Sequence, residues 1–475
     1  MVVELILTTP EEILSTISGR LSPEQEERVS AGAVLIKRLS KKIPIIIKLL
    51  NPLRSGWQDF PSDSSSGRRY GLKRSMKTEM KITRDVVIVG MARTALGSFQ
   101  GALSSLTAPQ LGAIVIREAL KRGGVGPEQV SEVIFGNVLT AGVGQAPARQ
   151  AAIFAGLPKS VPALTLNKVC GSGMKAVMLG VQAIRLGDSD VVVAGGMECM
   201  SAAPYFMRNG RSGFKMGHQP LMDSMIHDGL WDPYHESHMG NCAELCAKEK
   251  KLSREQQDQF AAESFRRAQA AQQAGKFQEE IVPVEIQGKK GNVQRIDTDE
   301  GPAKVQFDKM ASLKPAFDPK GSVTAANAST INDGAAALVL MSQDKAKALG
   351  LKPLARIVSY GSHAQEPQWF TTAPIGAMKN AVKKAGWQIQ DIDLFEVNEA
   401  FAVVALAVQK ELQIPSERLN IWGGAIALGH PLGASGARIL VTLVSALKDR
   451  GLKRGVAGIC IGGGEGTAVC IERME

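Results

Sequence analysis

From Thr83 onward, short apolar runs that end in glycine alternate with stretches whose apolar residues recur at helical spacing. Few folds satisfy that alternation, because a sheet must bury its faces and the intervening helices are what cover them. The run at 85–90, Asp-Val-Val-Ile-Val-Gly, reads as a first buried strand. A helix is predicted over 108–121, where Leu111, Ile114, Val115 and Ala119 share one side and Gly123-Gly124 stops it. Strands at 130–138 and 190–194 follow, separated by helices at 148–155 and 174–186. Residues 201–321 break the rhythm. They are polar and methionine-rich, with a long charged helix pattern over 254–276 and no sustained strand alternation. They read as a loop domain inserted in the first half, after which a strand at 336–340 rejoins the sheet.

The alternation then resumes with a strand at 354–359, a helix at 377–385 and a strand at 394–397. Helices at 399–412 and 434–447 come next, and strands at 458–461 and 468–471 end the chain. Two segments echo the first half. Residues 191–196 and 456–463 are both strands running into glycines, and 84–90 resembles 353–360. An internal duplication and a chance likeness between buried strands both fit these echoes.

The positive charge is unevenly placed. The chain of 475 residues carries a net charge of +10, and residues 28–77 hold twelve Lys or Arg against Asp59 and Asp63. Residues 1–82 therefore read as a basic, Ser-rich extension, with residues 83–350 and 351–475 as the two halves of the globular part. Glu11, Glu12, Glu24, Glu26 and Glu27 speak against a targeting peptide, which is poor in acids. No nucleic-acid partner is expected. No stretch approaches the ~18 uninterrupted apolar residues of a membrane span, since the run at 43–47 stops at Lys48, so no membrane partner is expected either. Six cysteines are too few for a disulfide scaffold and point to a reducing, cytoplasmic setting.

Four clusters carry chemistry. Cys170 lies in Asn167-Lys-Val-Cys-Gly-Ser-Gly-Met-Lys175, just before a helix, where free N–H groups and the helix dipole are expected to lower a thiol's pKa. Taken alone, a buried cysteine is more often a small core residue. Asn398 sits at a strand-to-helix junction, where an amide can cap the helix or hold a water in a pocket. His430 is surrounded by small residues in Gly423-Gly-Ala-Ile-Ala-Leu-Gly-His-Pro431, and Pro431 places it at a helix N-terminus. Cys460 leaves a strand into Gly462-Gly-Gly, a turn that lacks the lysine of a phosphate loop. Cys242 and Cys246, preceded by His235 and His238, have spacing poorly suited to zinc, so no metal is expected.

Together these four motifs, in this order over 83–474, resemble the thiolase family. The closer likeness, in the runs at 169–177, 238–240 and 324–337, is to its biosynthetic type. The resemblance implies an α/β fold of two similar halves in five α/β/α/β/α layers, with a loop domain over the site. It implies an acyltransferase that condenses two acetyl-CoA into acetoacetyl-CoA and CoA, the alternative being a degradative 3-ketoacyl-CoA thiolase. Cys170 would carry the acyl group, His430 would take its proton, and Cys460 would move the C2 proton of the second substrate. Asn398 would hold a water that binds the enolate oxygen, and the N–H groups of Cys170 and Gly462 would bind the oxyanion. His238 and Ser329 match positions that contact pantetheine, and Lys304 is the candidate for the nucleotide phosphates. No tightly bound cofactor is implied, coenzyme A being part of substrate and product, and the expected assembly is a homodimer or homotetramer. The resemblance has two departures: Trp422 stands before Gly423-Gly424 where the family usually has Asn, and the segment 299–305, where the family tends to have Arg, holds only Lys304.

Overall fold

The structure, a computed structural model, describes residues 84–288 and 291–474; the extension expected at 1–82 lies outside the described residues. In chain order the first half supplies strand β1 (Val86–Thr94), helix α1 (Ala108–Gly123), β2 (Glu132–Gly136), α2 (Pro147–Phe154), β3 (Ala163–Leu166), α3 (Ser172–Leu186) and β4 (Val191–Cys199). The loop segment holds α4 (Met239–Lys250), α5 (Arg254–Gln273) and the two-residue strand β5 (Ile281–Val282), before β6 (Asn332–Ser342). The second half supplies β7 (Ala355–Ala364), α6 (Ala373–Ala385), β8 (Leu394–Val397), α7 (Ala402–Leu412), α8 (Leu432–Arg450), β9 (Arg454–Ile461) and β10 (Glu465–Arg473).

The strands hydrogen-bond in the order β8-β9-β10-β7-β1-β6-β4-β2-β3. The two halves meet where Val86, Val87 and Ile88 of β1 pair with Ile357, Arg356 and Ala355 of β7. Beyond those three pairs both strands bulge, β1 between Ile88 and Gly90 and β7 between Ile357 and Ser359. Bulges bend strands, so the two halves part there. The duplication is real. The order β2-β4-β6-β1 repeats as β8-β9-β10-β7, and β4 and β9 each have one parallel and one antiparallel neighbour.

Helices α1 and α2 cover the outer face of the first half, and α6 covers that of the second. Helices α3 and α8 lie between the halves and complete the five layers. They cross backbone to backbone at their N-terminal turns. A Cβ on Gly173 would stand 2.8 Å from Ala437 N, and one on Gly436 would stand 2.4 Å from Met174 N. Glycine there is a condition of the approach.

Three sequence expectations need correction. The helix expected from 399 starts at Ala402, because Glu399 is buried and tied elsewhere. The edge strand β3 was missed, being only four residues long and not fully buried. The loop segment also has strands: β5 pairs with β1, and Val284–Gln287 forms a hairpin with Val293–Ile296.

Buried charge accompanies the apolar core. Arg93 of β1 is fully buried, its Nε donating to Glu280 Oε1 at 2.5 Å and its two Nη atoms to Asp299 at 2.7 and 2.9 Å. Asp299 also accepts from Leu96 N, so the end of the loop segment is bolted onto β1. In the central layer Arg438 faces Glu396 at 3.9 Å, both buried. Burial pushes the Glu396 carboxyl up to about 8 against the pull of Arg438. A carboxyl raised above its ordinary 4.5 binds its proton more tightly in the folded state, so it makes the fold less stable as pH rises towards 8. The slope is about 1.4 kcal/mol per pH unit. Glu396→Gln should therefore gain melting temperature over wild type between about pH 5 and pH 8, and parallel curves would refute this.

Candidate active site

Cys170 stands two residues before α3, and the turn that presents it is strained. Val169 has φ 44°, a left-handed backbone that costs a β-branched residue on the order of 1–3 kcal/mol. Three local bonds hold the turn: Val169 N donates to Asn167 Oδ1, Lys168 N to Ser172 Oγ, and Ser172 Oγ to Val169 O. The sulfur opens into a cavity of about 230 Å³ that is also lined by His430, Gly462, His238 and Ser329. The N–H groups of Gly462 and of Cys170 itself point at the thiol. The expected lowering of its pKa does not hold. Burial pushes the thiol up to about 12, outweighing the two N–H groups. A base must therefore take its proton at the moment of attack.

His430 supplies the geometry for one. It is buried at the turn before α8, with Pro431 as the helix cap and its own N–H donated to Asn332 Oδ1. Ser435 Oγ donates to Pro431 O at 2.8 Å, so it accepts from His430 Nδ1 at 2.6 Å. The lone pair then sits on Nε2, 3.5 Å from Asn398 Nδ2. Burial, helped by the Arg438 charge, holds the imidazole down to about 3, so it stays neutral.

Asn398 follows β8, its N–H bonded to Gly458 O and its side chain fully buried. It does not cap α7, whose cap residue is Phe401. Its Oδ1 meets no donor among the described residues. Glu399 fixes this loop by accepting from Ser264 Oγ, Asn420 Nδ2 and Ile426 N. Cys460 lies buried near the end of β9, one residue before Ile461 and two before Gly462. Burial first, and then nearby Cys170, push its thiol well above 9. Two thiols and one neutral imidazole thus converge, an arrangement suited to nucleophilic attack followed by proton transfer.

His238 and Ser329 reach the same cavity. His238 accepts from Gly240 N, stacks on Phe317 at 4.8 Å between centroids, and is pushed below its ordinary 6.5 by burial. Lys304 is not brought there. It pairs with Glu300 at 3.7 Å and lines a second cavity of about 280 Å³, which shares Thr330 with the first. Cys242 and Cys246 pack inward on α4, while His235 bonds Asp232. No cluster of three or more metal-ligating side chains occurs among the described residues.

The sequence reading missed two supports. Ser435 lies four residues past the run that ends at Pro431, in the first turn of the helix. Glu198 is a charge in an otherwise apolar strand, which was a signal. It accepts from Val138 N, Leu139 N, Gly433 N and Asn137 Nδ2, tying the loop after β2 to the first turn of α8. Trp422 is buried at 4% exposure, with its ring edge-on to Phe277 at 5.7 Å. Trp422→Asn empties that volume and should cost ~3 kcal/mol, read as a lower melting temperature; an unchanged one would place the indole outside the core.

Comparison with known proteins gives a consistent picture. Residues 86–344 match the family model described as thiolase, N-terminal domain, and residues 351–473 match thiolase, C-terminal domain. An acetyl-CoA acetyltransferase of Cupriavidus necator is 57% identical over 390 residues, covering 82% of this chain and 99% of its own. Acetyl-CoA acetyltransferase 2 of Arabidopsis thaliana is 56% identical over 393 residues, covering 82% of this chain and 98% of its own. The crystal structure of the Bacillus anthracis acetyl-CoA acetyltransferase matches with a TM-score of 0.81 at 43% identity, covering 82% of this chain and 99% of that one.

Proposed function

The chain belongs to the thiolase family, and on that premise we propose that the Cys170 cavity joins two acetyl-CoA into acetoacetyl-CoA and CoA. It is an acyltransferase, and its likeness to acetyl-CoA acetyltransferases over most of the chain supports this substrate. The observation that carries the assignment of roles is the shared cavity of Cys170, His430 and Gly462, with Cys460 buried two residues before Gly462.

In the first half-reaction His430 Nε2 takes the Cys170 proton as sulfur attacks the thioester carbonyl. The N–H groups of Cys170 and Gly462 hold the oxyanion. CoA leaves as a thiolate and collects the Cys460 proton, while His430 Nε2 holds the proton from Cys170. In the second, deprotonated Cys460 removes a C2 proton from acetyl-CoA. A base of high pKa suits so weak a carbon acid. A water held by Asn398 and the N–H then on His430 Nε2 donate to the enolate oxygen while C2 attacks the acetyl-cysteine, and Cys170 leaves as a thiolate that takes back the His430 proton. His238 and Ser329 contact the pantetheine arm, and Lys304, in the adjoining cavity, meets the nucleotide phosphates. No tightly bound cofactor takes part, and the working form is a homo-oligomer. Six free cysteines support a reducing compartment such as the cytoplasm. No helix among the described residues is long and apolar enough to cross a membrane.

The test is CoA release from acetyl-CoA with and without iodoacetamide, followed by kcat/KM against acyl length. Iodoacetamide-sensitive turnover that is greatest with the four-carbon thiolysis substrate supports the reading. A preference for long chains would favour the degradative alternative.

A further inference from the structure

The two N–H groups aimed at Cys170 come from separate loops, one before α3 and one after β9. Their spacing is therefore a tertiary matter. Lys168 stands one residue before the strained Val169 and two before Cys170. Glu465 opens β10 directly after Gly462-Gly463-Gly464, and pairs across the hairpin with Ile461. Lys168 Nζ contacts Glu465 Oε2, both side chains partly shielded at 23% and 38% exposure. It is the one ion pair joining these two loops among the described residues.

The far sides of both loops are anchored independently. Gly464 is held by Gln365, whose N–H donates to Gly464 O at 2.9 Å, and the Cys170 loop is held by Ser172. What remains adjustable is the gap between them. Below the pair, Gly171 meets the side chain of Ile461 so closely that a Cβ would stand 2.4 Å from its Cδ1. The loops are thus in contact at Gly171 and clasped at Lys168.

We propose that the Lys168–Glu465 pair is a clasp that sets the oxyanion hole, making both positioning residues for the acyl-transfer steps. It acts through Val169 and the Gly462 turn, and neither side chain touches the reacting atoms. The left-handed strain at Val169 is what the clasp opposes: released, that turn relaxes and carries the Cys170 N–H out of register with that of Gly462. Lys175, one turn into α3, is the other charge near Glu465, and it approaches from the helix instead of the loop. It cannot replace the clasp.

The proposal rests on Cys170 being the acyl carrier, so both are read in the same samples. Lys168→Met and Glu465→Gln should each lower kcat for thiolysis about 10- to 100-fold, the order expected when a catalytic group shifts by up to an ångström. KM should stay within about twofold, since the substrate cavity is untouched. The double variant should be no slower than the slower single, because both remove one interaction. Lys168→Arg should restore most of the turnover. Intact-mass analysis should show acetyl on Cys170 in every variant. Wild-type kcat in the singles, singles whose losses multiply in the double, or an unrescued Lys168→Arg would each overturn the clasp. A bare Cys170 in wild type would instead overturn the parent reading of the site.

Discussion

After incubation with acetyl-CoA, the wild-type protein should gain one acetyl group, on Cys170, and the Cys170→Ala variant should gain none. The Cys460→Ala variant should still become acetylated, yet neither condense nor exchange the C2 protons of acetyl-CoA with deuterated water. The two cysteines should divide this way because of where they sit. Cys170 opens into the cavity beneath two N–H groups, while Cys460 is fully buried two residues before Gly462. His430 is proposed to serve both half-reactions, so His430→Ala should slow acetylation as well as condensation. Loss of a positioned acid or base costs on the order of 10²–10⁴ in rate. Peptide mapping by mass spectrometry reads all three outcomes. Acetyl found on Cys460 in the wild type, with Cys170 bare, would reverse the assignment.

The largest expected loss of stability comes from Arg93→Met. The side chain makes three charge-assisted bonds to Glu280 and Asp299 in a region with no solvent exposure. Removing the cation leaves two buried carboxylates facing each other, and breaking a buried pair in this way costs about 5 kcal/mol. The guanidinium also lies 5.0 Å from the Phe277 ring, against which Trp422 packs, so the defect spreads to the loop behind His430. Denaturant unfolding of the full chain measures it. A variant with wild-type midpoint would show that the carboxylates find other partners.

Arg93 also shows what the sequence could and could not disclose. Strands β1, β4 and β6 were legible because long apolar runs have few other uses, and the site because glycine, cysteine and histidine in small-residue surroundings are hard to explain as core. The partners of Arg93 were not legible. Glu280 and Asp299 lie some two hundred residues away, in a polar segment whose local pattern says only loop and helix. The pKa of Cys170 failed for a related reason. Position before a helix is a local fact, whereas the burial that dominates comes from loops met only in the fold. Asn398 looked like a helix cap because the sequence does not reveal Glu399 turning inward to Ser264 and Asn420. His430 was the reverse case: its proline, glycines and even Ser435 lie within one short run.

Strand β1, the hinge on which both halves of the sheet hang, is the first strand of the described fold to leave the ribosome. Its partners arrive late. Val86 pairs with Ser342 on one side and Ile357 on the other. At about 5–20 residues per second, Ser342 follows Val86 by on the order of 10–50 s. Through that interval nine buried-type residues, Val86–Thr94, wait with both edges open. Synthesis thus exposes a sticky edge for far longer than folding itself requires, so the yield of active protein in a cell depends on elongation speed and chaperone supply as well as on the stability of the finished fold.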